Sequence, residues 1–112
     1  FELLATKYLD EKYAPENVTV ETGVPTNQIK RLAAEIAEAA FEKEVIVNQP
    51  WTDMKGEKHD KMIGRPVAFH AMRGISAHSN GFQTCRSIHL LQILLGSIDS
   101  PGGFRFTGFA DP

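Results

Sequence analysis

The chain has 112 residues, 42% of them hydrophobic and 23% charged, which leaves room for at most one domain and excludes an intrinsically disordered chain. Its net charge of −2, with four histidines, excludes a strong general attraction to nucleic acid or to an anionic membrane surface. No apolar run approaches the roughly 18–20 residues that cross a bilayer, and the single cysteine, Cys85, excludes an internal disulfide or a cysteine cluster.

Residues 2–12 carry helix formers with Leu3, Leu4 and Tyr8 on one stripe, which predicts a short helix broken at Ala14-Pro15. Residues 17–21 read two ways: Val18, Thr19 and Val20 favour a strand, while Pro15-Glu16 equally opens a helical turn. Thr22-Gly23-Val24-Pro25 is a turn and helix entry. The clearest helix spans residues 26–43, with Ile29, Leu32, Ala33, Ile36, Ala37, Ala40 and Phe41 on one face and an Arg31–Glu35 pair on the other. Val45–Val47 reads as a short strand. Residues 51–65 form a polar excursion punctuated by Gly56 and Gly64, of a length that is often functional or a hairpin insert. Residues 66–72 are nearly continuously apolar, which suits a buried parallel strand. A polar loop of small residues follows from Gly74 to Gly81. The helix after it, residues 82–95, is almost wholly apolar towards its end, so burial on both sides is expected, with Gly96 as its C-terminal cap and a Pro101-Gly102-Gly103 turn beyond. Phe1 opens directly into helical pattern, and Phe104, Phe106 and Phe109 want partners, so the chain reads as an internal fragment of a larger protein. The order helix, strand, loop, helix predicts an α/β class: a partial Rossmann-like domain over residues 1–112, with helices on a few mainly parallel strands.

The chemistry-bearing residues are few. Asp53, Glu57 and Asp60 lie near His59 in the excursion, but no histidine or cysteine pair has a recognised zinc spacing; a solvated loop is the plainer reading and no metal ligand is assigned. His70 and His89 read as core histidines. Cys85, near the start of a helix, reads as a small core residue ahead of a thiol nucleophile. Ser76 and Ser79 lack the glycine context of a serine hydrolase. A loop between a strand and a helix start presents N–H groups to an anion, and ligands of α/β sheets bind at such places. No phosphate-loop or dinucleotide fingerprint accompanies it, and an ordinary strand-to-helix connection competes evenly with a binding loop.

Two segments bear on that choice. Thr22-Gly23-Val24-Pro25, followed by Ile29 and Leu32-Ala33, resembles a helix entry of molybdopterin oxidoreductases. Gly74-Ile75, His78, Gly81, Arg86-Ser87-Ile88, Leu91, Leu94, Gly96, Ile98 and Pro101-Gly102-Gly103 together resemble that family's later loop, helix and turn. The chain is identified on this basis as similar to catalytic subunits of the dimethyl sulfoxide reductase superfamily, nearest the sulfite dehydrogenase and the thiosulfate or polysulfide reductase types. The resemblance implies an oxidoreductase acting on a small sulfur oxyanion. It also implies a molybdenum bis(molybdopterin guanine dinucleotide) cofactor and a [4Fe–4S] cluster whose ligands lie outside these residues. Gly74, Ser76, His78, Ser79, Asn80 and Gly81 become its implied cofactor-binding residues, His78 its one protonatable candidate, and Arg86 either a cofactor contact or a structural ion pair. Implied partners are the rest of the catalytic polypeptide and two further subunits, one for iron–sulfur electron transfer and one for membrane anchoring; the piece alone is expected to be inactive. The alternative is a stand-alone α/β binding or interaction module without cofactor.

Overall fold

The computed structural model describes residues 2–71 and 73–104. The chain divides into two compact units, Phe1–Ile36 and Ala37–Pro112, with the boundary inside a helix.

The first unit is helical. Helix α1 spans Glu2–Tyr8, a 3₁₀ turn covers Glu11–Tyr13, and α2 spans Pro15–Thr22. Asp10 starts the 3₁₀ turn by accepting from the Lys12 N–H at 3.0 Å. The open choice at residues 17–21 resolves to helix: Pro15 sits in the first turn of α2, where its missing N–H costs nothing, and Gly23 closes the helix at φ 68°, a left-handed conformation that favours glycine. Thr19 Oγ1 donates to the Pro15 carbonyl at 2.9 Å and lies 3.0 Å from Thr26 Oγ1, which links α2 to the start of α3, Thr26–Phe41. Lys30 pairs with Glu16 across the same two helices.

In the second unit the end of α3 leads into β1, Val45–Val47, β2, Trp51–Thr52, β3, Lys58–His59, and β4, Met62–Gly64. All pairing between these strands is antiparallel: Val45 faces Gly64, Ile46 faces Ile63 and Val47 faces Met62, while Trp51 faces His59 and Thr52 faces Lys58. Arg65 Nη1 donates to the Ala40 carbonyl at 2.6 Å, satisfying a carbonyl at the C-terminal end of α3, and its guanidinium lies over the Phe41 ring. Short α4, Arg73–Ser76, and long α5, Gly81–Leu94, complete the elements.

The expected α/β arrangement with mainly parallel, Rossmann-like strands does not form. The described residues hold five α-helices and two two-stranded antiparallel sheets. The reason is local. A parallel return needs a crossover of a dozen or more residues, usually through a helix. The segment after β1 instead folds into the β2–β3 hairpin and brings β4 straight back along β1. Residues 66–71, expected as a buried parallel strand, form none; Pro66 lacks a ladder donor, and only Val67 in this stretch is buried. Met72, the end of that expected strand, lies outside the described residues.

Helix α5 forms where the pattern placed it, but its burial is the reverse of the expectation. Phe82, Ile93 and Leu94 are 77%, 60% and 59% exposed, while Gln92 is 1% exposed. The C-terminal end is as expected: the Gly96 N–H reaches the Ile93 carbonyl and the Ser97 N–H reaches the Gln92 carbonyl, the paired bonds of a Schellman cap, with Gly96 at φ 65°. The Pro101-Gly102-Gly103 turn closes with the Gly103 N–H on the Ser100 carbonyl, and the Phe104 N–H then returns to the Ser97 carbonyl. Of the expected aromatic tail, Phe106 and Phe109 lie outside the described residues.

Candidate functional site

The loop expected to bind a ligand is shorter and tighter than a strand-to-helix connection. Arg73–Ser76 coil into α4, residues 77–80 turn, and α5 begins at Gly81. The Ala77 N–H closes on the Arg73 carbonyl at 3.0 Å, and the Gly81 N–H closes on the His78 carbonyl at 2.9 Å. Gly81 is buried, and a Cβ there would collide with the main chain of Ser76. Glycine is thus what lets the two ends of the turn touch.

Gly74, Ser76, His78, Ser79 and Asn80 are all exposed on this one loop, so five of the six implied binding residues are presented together and the sixth, Gly81, closes the turn beneath them. Nothing lies within 4 Å of where a Gly74 Cβ would sit, so that stretch of backbone is open to close approach. Ser76 Oγ donates to the Arg73 carbonyl at 3.1 Å, whereas Asn80 precedes α5 without a side-chain capping bond. The loop therefore offers short polar groups and first-turn amides of a 14-residue helix, a donor set suited to phosphate and to the hydrogen-bonding edges of a pterin. The chemistry of these residues fits the implied cofactor.

Other candidates fall differently. Arg86 is exposed and forms no ion pair among the described residues. Cys85 is half-buried in the second turn of α5. His70 and His89, read as core histidines, are both exposed. His89 Nδ1 lies 2.9 Å from Gln92 Oε1, which places the proton on Nδ1, and its ring meets Phe104 edge-on. Gln92 is a residue that the sequence reading misses; its Nε2 reaches the Phe69 carbonyl at 3.5 Å, tying the segment that leads into the loop to the underside of α5. A polar residue between Leu91 and Ile93 is its one signal.

A second cluster forms at the β2–β3 hairpin. Asp53 Oδ1 accepts from the Lys55 and Glu57 N–H groups at 2.9 Å each, and Asp53 Oδ2 lies 3.3 Å from His59 Nε2. The backbone bond from Glu57 and then the bond from His59 hold the Asp53 carboxyl below the usual carboxylate range, against a smaller opposing effect of burial. Ligand atoms of Asp53, Glu57 and His59 lie within 4.8 Å of one another. Asp53 is already committed to the turn, and no metal ligand is assigned here. Of the three acidic residues that the sequence places near His59, Asp53 and Glu57 join it and Asp60 does not.

Over 105 residues, 94% of its length, the chain is 47% identical to a protein from Allochromatium vinosum named as a subunit of sulfite dehydrogenase. It spans only 11% of that relative's length. No family model matches the chain, and no solved structure matches it. These findings correct the identification drawn from the two motifs. The match is to a protein bearing a sulfite dehydrogenase name, no family model carries the wider identification, and the chain is not placed as a catalytic-subunit fragment of the dimethyl sulfoxide reductase superfamily.

Proposed function

We propose that this chain serves an enzyme oxidising or reducing a small sulfur oxyanion, with sulfite as the first substrate to test and thiosulfate or polysulfide as the others. The observation supporting this reading is the 47% identity, over nearly the whole chain, to a protein that carries the sulfite dehydrogenase name. In this proposal residues 74–81 form one wall of the site. Their exposed hydroxyls, amide and backbone N–H groups hold the polar edge of molybdenum bis(molybdopterin guanine dinucleotide), the group that would supply two-electron chemistry when bound. His78 is placed to hold or release a proton beside it. A [4Fe–4S] cluster held outside these residues would carry electrons between this site and an iron–sulfur subunit, with a membrane-anchor protein as further partner. The chain alone is inactive.

The test is sulfite-dependent reduction of an artificial electron acceptor by the purified enzyme that contains this chain, alongside its reduction of thiosulfate and polysulfide with an artificial electron donor. Turnover with sulfite is the expected result; no turnover with any of the three overturns the reading. His78→Ala is expected to lower turnover roughly tenfold or more at unchanged cofactor content. Unchanged turnover removes His78 from the site.

A further inference from the structure

The loop of residues 74–81 is tied to α5 from both sides. Its far end is α5 itself, since Gly81 opens that helix and closes on the main chain of Ser76. Its near end follows residues 66–71, which form neither helix nor strand. The Val67 N–H turns back to the Arg65 carbonyl. Beyond it, the one hydrogen bond that residues 68–71 make among the described residues is at the Phe69 carbonyl, and its donor is Gln92 Nε2 in the last turn of α5. Gln92 is the largest side chain fully buried among the described residues, and it uses both ends of its amide. With the His89 Nδ1–H donating to Oε1 at 2.9 Å, the NH2 end is turned towards Phe69.

A buried amide costs free energy wherever either end lacks a partner, whereas an apolar side chain of similar length fills the space without that cost. Packing alone therefore does not call for glutamine between Leu91 and Ile93. What the amide adds is direction: it holds one carbonyl of a segment without a strand partner at one place on the helix. We propose that Gln92 is a positioning residue for the loop, fixing through Phe69 where residues 74–81 begin relative to the start of α5. The inference rests on the reading of that loop as a wall of the cofactor site. The side chains of Ser76, Ser79 and Asn80 are short, so they cannot stretch to follow a loop that has moved. A displacement of about 1 Å takes such groups out of hydrogen-bond range and can cost on the order of a hundredfold in rate.

The test uses the purified enzyme that contains this chain and counts the guanine nucleotide released per polypeptide on denaturation. Gln92→Met keeps length and bulk and removes both hydrogen bonds. Gln92→Asn keeps a buried amide but is one methylene too short to reach Phe69. Both variants are expected to hold roughly half the wild-type nucleotide or less, and to lower kcat with sulfite per loaded site by about tenfold or more at little-changed KM. Ala40→Gly, which weakens α3, is the comparison: it is expected to lower the melting temperature and to leave loading and kcat at the wild-type level. A wild-type enzyme that releases no guanine nucleotide overturns the cofactor reading, and the positioning role with it. A loaded wild type whose Gln92 variants load and turn over equally well, or an equal loss of nucleotide in Ala40→Gly, overturns the positioning role alone.

Discussion

Removing the amide of Gln92 takes a hydrogen bond from two groups at once: the Nδ1–H of His89 and the carbonyl of Phe69. Gln92 is itself fully buried, so water does not readily replace it. Gln92→Ala is expected to cost about 1–3 kcal/mol, read as a lower urea midpoint of the helical circular dichroism signal. Residues of this kind are hard to see in a sequence. Gln92 interrupts an apolar run, and periodicity alone assigns it to the solvent side. Asp53 is equally obscure, because its role is to accept two backbone amides in a turn whose strands are only two residues long. The loop residues Gly74, Ser76, His78, Ser79 and Asn80 are legible for the opposite reason: short polar side chains beside a glycine mark exposed backbone whatever the fold around them.

The elements divide along the same line. Helix α3 and the Arg31–Glu35 pair on it follow from strong helical spacing, and the pair forms at 3.4 Å. The position and the cap of α5 follow from its helix formers and Gly96. Which side of α5 is covered does not, since a helix apolar nearly all round carries no face signal. Residues 66–71 show the same limit for strands: a short apolar run is compatible with a buried strand, and Pro66 is the one residue in it that argues otherwise. The exposed row on α5 has its own expected outcome. Replacing Phe82, Ile93 and Leu94 together by Gln is expected to leave urea stability within about 0.5 kcal/mol per site, because these side chains are more than half exposed, and to reduce light scattering of concentrated solutions by lowering the exposed apolar surface.

Across the molecule, the hydrophobic side chains that are truly buried among the described residues are Ala40, Val67 and Leu95. A stand-alone module of 112 residues needs more than that to offset the entropy of ordering its backbone. The chain by itself is expected to unfold with a urea m value at or below the lower end of the usual range of about 1–3 kcal/mol/M, since m follows the surface newly exposed. A steep transition instead would show that a larger core forms in solution. The main-chain contact between Gly81 and Ser76 carries a different consequence. It makes residues 77–80 a ring whose circumference is counted in whole residues. Exchanging side chains around that ring changes what it displays and leaves its closure alone. Adding or removing one residue breaks the closure, whatever its chemistry. Geometry fixes the number of residues in such a ring and leaves their side chains to whatever the ring must display.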